Sequence, residues 1–248
     1  MAHGTVSLHS DQIGRNVNIR FFLPIETCTA MPALVLLHGL GGNEQDWLLN
    51  TQVALFARER GLAVFCPAGE NSFYTSRSNE SPDFDRFVGE ELPGLLRRLF
   101  PISQDAEHLY IGGMSMGGFG ALNIGYRYPQ VYSKVIALSS ALWPWELPMA
   151  QIADSCLKQA FFDAAFSDRG HCDTLLLAKE CGKNAPDIYL ACGADDAFLK
   201  AHVRFLAELR ANHLPVPTAV TEPGGHDWHY WNRAIASALL WLTEGQNG

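Results

Sequence analysis

The sequence has 248 residues, of which 48% are hydrophobic and 18% are charged, and its formal net charge is -8 at pH 7. This length suits one domain of the larger α/β kind with a substantial buried core, and the composition excludes a disordered chain. The negative charge argues against nucleic acid or an anionic membrane as a main partner.

The N-terminal segment, Met1 to Asn18, has no basic patch followed by an apolar stretch, so a secretory signal is not expected. No uninterrupted apolar run approaches the ~20 residues that a membrane span needs. A protein that spans no membrane and resides in the cytoplasm is therefore expected.

Six cysteines are present, and none of them form a C-x-x-C pair, so metal-ligand spacing is absent and no metal site is expected. Buried free thiols are the expected state of these side chains. The cysteines are Cys28, Cys66, Cys156, Cys172, Cys181 and Cys192.

Apolar, β-rich runs alternate along the chain with longer helical patterns, which indicates a mostly parallel sheet with right-handed crossovers. The first two runs are close together in sequence and predict an antiparallel hairpin at one edge. The predicted strands are Thr5–His9, Val17–Leu23, Ala33–Leu37, Leu62–Cys66, Leu109–Gly112, Val135–Leu138, Ile188–Cys192 and Thr218–Thr221.

The regions between these strands have helical patterns, and together with the sheet they predict a single domain over residues 1–248. The predicted helices are Gln45–Arg60, Phe84–Phe100, Gly117–Tyr128, Ala197–Asn212 and Asp227–Leu242. The segment Leu142–Asn184 breaks the alternation, and helices are expected in it around Gln151–Phe166 and Thr174–Cys181. Because a segment of this length between two core strands is often functional, it is interpreted as a small helical cap over a site.

The string Gly113-Met114-Ser115-Met116-Gly117 is a G-x-S-x-G motif that follows a predicted strand and precedes a predicted helix. A serine in this context occupies a strained turn, and the glycines remove side chains that would collide there. The motif predicts Ser115 as a nucleophile. The alternative is a glycine-rich turn that only packs a helix against the sheet.

A second glycine-rich string, His38-Gly39-Leu40-Gly41-Gly42-Asn43, follows the third predicted strand. Its backbone N–H groups are free to face a ligand, and such a loop supplies one oxyanion donor, the other coming from the residue after the nucleophile. The backbone N–H groups of Leu40 and Met116 are therefore predicted to form the oxyanion hole. His38 is expected to hold the loop rather than to act as a base.

The expected chain order is serine, then an acid, then histidine, each after a later strand. His226 follows the last predicted strand, and His229, three residues into the helix, is the competing candidate. Asp195 and Asp196 both follow the strand Ile188–Cys192, and their spacing does not decide which one orients the histidine.

At these residues the chain resembles the esterase D-like branch of the α/β-hydrolases, and it is most similar to small bacterial tributyrin and acetyl esterases. The matching strings run along nearly the whole chain and include Leu37-His38-Gly39-Leu40-Gly41-Gly42-Asn43, Trp47, Glu90-Glu91-Leu92-Pro93, Gly113-Met114-Ser115-Met116-Gly117-Gly118, Cys192-Gly193-Ala194-Asp195-Asp196 and Gly225-His226-Asp227-Trp228. The resemblance implies the α/β-hydrolase fold and Asp196 as the catalytic acid.

The resemblance also implies a cofactor-free carboxylesterase that acts on short acyl esters of about two to four carbons, and it allows a homo-oligomer. S-formylglutathione hydrolases and feruloyl esterases are similar in the same way. The chain departs from the former at Gly112-Gly113-Met114, where a histidine usually precedes the serine. A thioesterase, a sugar-ester deacylase and a catalytically silent binding module are the competing hypotheses.

Apolar side chains near these motifs suggest a narrow acyl pocket for a small-molecule ester. Trp47, Tyr74, Met114 and Trp143 are the residues assigned to it. Plain core packing is the alternative explanation for each of them.

Overall fold

The computed structural model describes residues 1–25, 30–76, 82–146, 166 and 169–243. Eight strands form one sheet in the order β1-β2-β4-β3-β5-β6-β7-β8. The strands are β1 Ala2–Ser10, β2 Arg15–Leu23, β3 Ala33–Leu37, β4 Ala63–Pro67, β5 Leu109–Met114, β6 Lys134–Leu138, β7 Asp187–Gly193 and β8 Thr218–Glu222.

All eight predicted strands are present, and the predicted edge hairpin is formed by β1 and β2, which pair antiparallel with Ala2 opposite Leu23. Strand β2 also pairs antiparallel with β4, whereas the pairs from β4 through β8 are all parallel. The parallel strands therefore end at one common edge, where the loops that follow them meet.

Helices cover both faces of the sheet. They are α1 Asp46–Asn50, α2 Val53–Arg58, α3 Phe84–Arg86, α4 Leu92–Leu99, α5 Met116–Arg127, α6 Arg169–Cys172, α7 Thr174–Cys181, α8 Leu199–Ala211 and α9 Trp228–Thr243, and a π-helical turn, Phe87–Glu91, joins α3 to α4. Among the described residues, no helix is long and apolar enough to cross a membrane.

Strand β3 illustrates how the sheet separates two cores. Its five residues are at most 1% exposed, with Ala33, Val35 and Leu37 packing into one cluster and Leu34 and Leu36 into the other. The first cluster includes Phe119 of α5 and Phe205 of α8, and the second includes residues of α1, α2 and α9. This two-sided burial explains why the strand reads as a continuous apolar run.

The predicted helix Gln45–Arg60 is instead two short helices, α1 and α2, and this prediction is wrong in its continuity. The side chain of Thr51 causes the interruption, because its hydroxyl donates to the carbonyl of Trp47 and accepts the N–H of Val53 at 3.2 Å. A threonine that bonds to the backbone in this way competes with the helix and caps the next one.

The segment Leu142–Asn184, expected to form a cap, is described only in part. Helix α7 coincides with the predicted Thr174–Cys181 and packs on α5, where the Thr174 hydroxyl donates to Asn123 Oδ1 at 2.6 Å. This end of the segment therefore belongs to the layer of helices. The helix predicted around Gln151–Phe166 lies outside the described residues, except for Phe166.

Of the six cysteines, Cys66 and Cys192 are buried free thiols, Cys181 is a half-buried free thiol, and Cys172 is buried. Burial raises the pKa of both Cys66 and Cys192, the latter to about 12. These two thiols are therefore inert at neutral pH. Cys28 and Cys156 lie outside the described residues.

Candidate active site

The turn Gly113–Gly117, here called the serine turn, connects β5 to α5. Ser115 has φ 55° and ψ -117°, a strained conformation for a residue with a side chain. A Cβ atom on Gly113 would lie 2.4 Å from the carbonyl oxygen of Gly117, and one on Gly117 would lie 2.4 Å from the carbonyl oxygen of Leu37. Both glycines are therefore required by close backbone contact, as the motif predicts.

The serine turn brings the hydroxyl of Ser115 to His226, which follows β8. Ser115 Oγ lies 3.0 Å from His226 Nε2, and His226 Nδ1 lies 2.9 Å from Asp196 Oδ2. In the arrangement that satisfies all three groups, the serine hydroxyl donates to Nε2 and the Nδ1–H donates to the carboxylate. The three side chains form one hydrogen-bonded row.

Asp196 and Asp195 differ clearly in their surroundings. The side chain of Asp196 is fully buried, and its Oδ1 accepts the N–H of Phe198 at 2.8 Å, whereas Asp195 is exposed. Burial alone would raise the pKa of Asp196, but hydrogen bonds from His226, Phe198 and Ser139 outweigh it and hold the pKa below its ordinary value. Asp196 is the aspartate in the row, and it is ionised at neutral pH.

Two aromatic rings contact the imidazole of His226 in T-shaped arrangements. The ring centroid of Phe198 lies 4.7 Å from that of His226, and the centroid of Trp231 lies 4.9 Å away at an interplanar angle of 85°. Trp231 is itself fixed, because its indole N–H donates to Ser139 Oγ at 3.1 Å. His229, the competing histidine, is exposed on α9.

Ser139 and Trp231 were not among the residues predicted from the sequence. Ser139 directly follows β6 at the edge of the sheet where the other site residues lie, and this position is the signal that could have identified it. Trp231 lies five residues after His226 on a largely apolar helix, where the sequence offers no feature that separates it from ordinary core residues.

The string after β3 forms a tight turn, Gly39–Gly42, here called the glycine turn. The N–H of Gly42 donates to the carbonyl of Gly39 at 3.1 Å, and Gly41 has φ 77°. A positive φ at the third residue only, closed by this hydrogen bond, is the pattern of a type II turn. Among the described residues, the N–H groups of Leu40 and Met116 have no hydrogen-bond acceptor, so both are available to a ligand.

His38 holds the glycine turn, as expected, and is 1% exposed. Its Nδ1–H donates to the carbonyl of Gly39 at 2.8 Å, and its Nε2 accepts the N–H of Gly69 at 2.9 Å. Burial lowers its pKa, which keeps the ring in this neutral form. The hydroxyl of Tyr74 accepts the backbone N–H of His38 at 3.1 Å.

The four side chains assigned to an acyl pocket are all at most 5% exposed. Trp47 is completely buried on the face of the sheet covered by α9, where its indole N–H donates to the carbonyl of Leu37 at 2.9 Å. Tyr74 supports His38. These contacts correct the assignment of Trp47 and Tyr74, because both serve the protein's own backbone and neither presents surface to a substrate.

Met114 and Trp143 stay candidates for the pocket. Met114 directly precedes Ser115, and its sulfur lies against Gly39, where an added Cβ would be 2.7 Å away. The ring of Trp143 packs against that of Phe205, and the guanidinium of Arg204 lies over it, 4.1 Å from its centroid. Within the described part of the chain, no three His, Cys, Asp or Glu side chains are grouped so that they could hold a metal ion.

Comparison with known proteins identifies the family of the chain. The family model described as "Putative esterase" matches residues 10–242. The chain belongs to this esterase family. An acetyl esterase from Caldicellulosiruptor saccharolyticus is 33% identical over 98% of this chain and 99% of that protein. The protein is thus a carboxylic-ester hydrolase by family, as the resemblance in its motifs implies.

Two solved structures are similar to nearly the whole chain. An S-formylglutathione hydrolase from Staphylococcus aureus has a TM-score of 0.85 at 24% identity, with 98% of this chain and 99% of that chain covered. A ferulic acid esterase has a TM-score of 0.81 at 22% identity, with 98% and 97% covered. These likenesses confirm the predicted α/β-hydrolase fold.

Proposed function

We propose that this esterase is a serine carboxylesterase that hydrolyses short-chain acyl esters through an acyl-enzyme intermediate. In this proposal Ser115 is the nucleophile, His226 the general base and Asp196 the acid that orients the histidine. The observation that carries the proposal is the hydrogen-bonded row, with 3.0 Å from Ser115 Oγ to His226 Nε2 and 2.9 Å from His226 Nδ1 to Asp196 Oδ2.

Each of the three hydrogen-bonded side chains has a distinct role in the reaction. The oxygen of Ser115 attacks the ester carbonyl carbon while its proton moves to Nε2 of His226. His226 then donates that proton to the alcohol oxygen as the carbon–oxygen bond breaks, which leaves the acyl group on Ser115. Water then attacks the acyl carbon while His226 takes its proton, and His226 returns that proton to the oxygen of Ser115 as the bond to the acyl group breaks and the carboxylic acid is released. The lowered pKa of Asp196 supports its role, because an ionised carboxylate stabilises the imidazolium in both halves.

The backbone N–H groups of Leu40 and Met116 are assigned as the donors that stabilise the negative charge on the tetrahedral intermediate. Both lack an acceptor among the described residues, and Met116 begins α5, whose N-terminus favours negative charge. One such donor typically contributes about 2.7–4 kcal/mol to the stabilisation of the transition state.

Short acyl groups are proposed on two grounds. Met114 belongs to the serine turn, and Trp143 follows Ala141, whose N–H donates to the carbonyl of Ser115, by two residues; both are large apolar side chains, and an acetyl esterase is among the relatives. Part of the segment Leu142–Asn184 is proposed to cover the pocket as a small cap. Butyrate esters, tributyrin included, fall within the proposed range of about two to four carbons.

The test is hydrolysis of p-nitrophenyl acetate, butyrate and octanoate by the wild type, Ser115→Ala and a matched pair of aspartate variants. We expect Ser115→Ala to abolish turnover and Asp196→Asn to lower kcat about 10⁴-fold, since the histidine loses its orienting carboxylate. Asp195→Asn, one residue away and exposed, should keep wild-type activity. Equal losses in both aspartate variants would contradict the assignment of Asp196.

The same assay separates the competing functions. An S-acyl thioester substrate hydrolysed far faster than the matched oxygen ester would indicate a thioesterase, which uses the same residues. A maximum rate with the octanoate ester would contradict the proposed acyl length. Wild-type protein that hydrolyses neither ester nor thioester, yet binds esters, would indicate a binding module.

A further inference from the structure

The loop after β4 makes three contacts with His38 and the glycine turn that follows it, and the two contacts to His38 are deep in the core. The N–H of Gly69 donates to His38 Nε2, and the hydroxyl of Tyr74 accepts the N–H of His38. The third contact is different, because it is at the surface and reaches the turn directly. The half-buried side chain of Asn71 accepts the N–H of Gly41 through its Oδ1 at 2.7 Å.

The N–H of Gly41 belongs to the central peptide of the type II turn, between Leu40 and Gly41. In the alternative type I turn this peptide is rotated by roughly half a turn, so that a carbonyl points where the N–H was. An acceptor placed on the N–H therefore favours the type II form, since the rotated peptide would bring two oxygens together. Among the described residues, no other group accepts this N–H.

We propose that Asn71 is a positioning residue for ester hydrolysis: its hydrogen bond to the N–H of Gly41 anchors the glycine turn against the loop after β4, which keeps the preceding peptide, and with it the N–H of Leu40, in place for the oxyanion. The inference rests on the proposed function, in which Leu40 is one of the two oxyanion donors. Asn71 itself touches no reacting atom. It acts through the peptide of Gly41, one residue beyond the donor.

The effect of losing this contact is expected in catalysis and not in substrate binding. The oxyanion exists only in the transition state and the tetrahedral intermediate, so a misoriented donor lowers kcat and kcat/KM equally and leaves KM unchanged. For Asn71→Ala we expect kcat to fall about tenfold, which corresponds to about 1.4 kcal/mol, the upper range for one neutral hydrogen bond.

The variants are chosen so that folding and charge can be separated from positioning. Asn71→Asp keeps an oxygen at the same position and should keep kcat within about threefold of the wild type. Glu70→Gln, one residue earlier, weakens the ion pair with Arg15 but leaves the contact with Gly41 intact, and it should change neither kcat nor KM. Thermal unfolding of each variant checks that the fold is retained.

A second readout needs no turnover. Butylboronic acid forms a tetrahedral adduct with a reactive serine and places an oxygen where the oxyanion develops, whereas butyrate, the product, does not. Calorimetric titration should show about tenfold weaker binding of the boronic acid to Asn71→Ala, with butyrate binding unchanged, and Asn71→Asp should restore the boronic acid affinity.

The two proposals fail in different ways. If Asn71→Ala keeps wild-type kcat and boronic acid affinity, or if Asn71→Asp loses as much as Asn71→Ala, the positioning role is wrong while the proposed function stands. If Ser115→Ala retains activity, the proposed function is wrong whatever the Asn71 variants do. A rise in KM alone for Asn71→Ala would also overturn the inference, since it would place the side chain in substrate binding.

Discussion

The serine turn and the glycine turn lie side by side at the same edge of the sheet, but they are held in place by different forces. The serine turn is fixed by sterics, because its glycines allow backbone atoms to approach so closely that no side chain would fit. The glycine turn is anchored by the hydrogen bond from the N–H of Gly41 to Asn71, and a Cβ added to Gly41 would have no atom within 4 Å. Cβ atoms added to Gly39 and Gly42 would first meet the side chains of Met114 and Asp46, which can move, and not fixed backbone.

The difference predicts two kinds of sensitivity to mutation. A turn held by close packing cannot adapt, so a single added methyl group displaces the backbone and everything attached to it. A turn held by hydrogen bonds has a second conformation available. A mutation therefore changes the populations of the two conformations and has a smaller, graded effect on activity. Three substitutions test this contrast, beginning with the one of largest expected effect.

Gly117→Ala should damage the serine turn most. The new Cβ would lie 2.4 Å from the carbonyl oxygen of Leu37 and 2.6 Å from that of His38, and both are backbone atoms that cannot move independently. We expect the free energy of unfolding to fall by about 1–3 kcal/mol and kcat to fall at least about 100-fold, because a displacement of about 1 Å misaligns the hydroxyl of Ser115. Urea unfolding and p-nitrophenyl acetate hydrolysis measure both effects.

Gly94→Ala is the matched control for that substitution. Gly94 lies in helix α4, and a Cβ there meets no atom within 4 Å. The same chemical change should therefore stabilise the protein by about 0.5–1 kcal/mol and leave activity unchanged. If Gly117→Ala were equally harmless, the steric account of the serine turn would be wrong.

The serine turn also has one support that depends on pH. His202 of α8 is 3% exposed, and its Nε2–H donates to the carbonyl of Ser140 at 3.2 Å, next to Ala141, whose N–H donates to the carbonyl of Ser115. Burial lowers the pKa of His202 from 6.5 to about 4. Between these two values the unfolded chain binds a proton that the native protein does not bind, so the native state loses stability as pH falls.

The loss from His202 should be on the order of 3 kcal/mol, complete once the pH is below about 4. His202→Gln provides an amide donor for Ser140 but has no titrating group. We expect the difference in unfolding free energy between the wild type and His202→Gln to shift by that amount, in favour of the variant, between pH 7 and pH 4. Parallel stability curves for the two proteins would show that His202 does not titrate as described.

Much of this architecture could be predicted because the responsible forces are local or periodic. The buried strands read as apolar runs, and the serine turn is encoded by glycines at fixed spacing around Ser115. The break between α1 and α2 could not be predicted from periodicity, because it depends on whether the hydroxyl of Thr51 bonds to the backbone or to water.

The residues that support the site could not be predicted from the sequence either, for a related reason. Trp47 and Tyr74 are large and apolar enough for a pocket wall, and only their hydrogen bonds to Leu37 and His38 show that they support backbone instead. Asn71 and Gly41 are 30 positions apart, and the contact between them exists only once β3 and β4 have paired. A contact between the loops of neighbouring strands produces no periodic pattern in the sequence of either loop.

Gly41→Ala should have the smallest effect of the three, and it acts on the glycine turn without touching Asn71. A residue with a Cβ at φ 77° costs about 1–2 kcal/mol, which favours the rotated form of the turn, but no atom obstructs the new methyl group. We expect a loss of up to about tenfold in kcat at unchanged KM, measured with p-nitrophenyl acetate.

Gly182→Ala is the matched control, because Gly182 also has a positive φ, 58°, in open space but follows α7 away from the serine. Both variants should lose similar stability, and only Gly41→Ala should lose activity; a larger loss of kcat than in Gly117→Ala would reverse the contrast between the two turns.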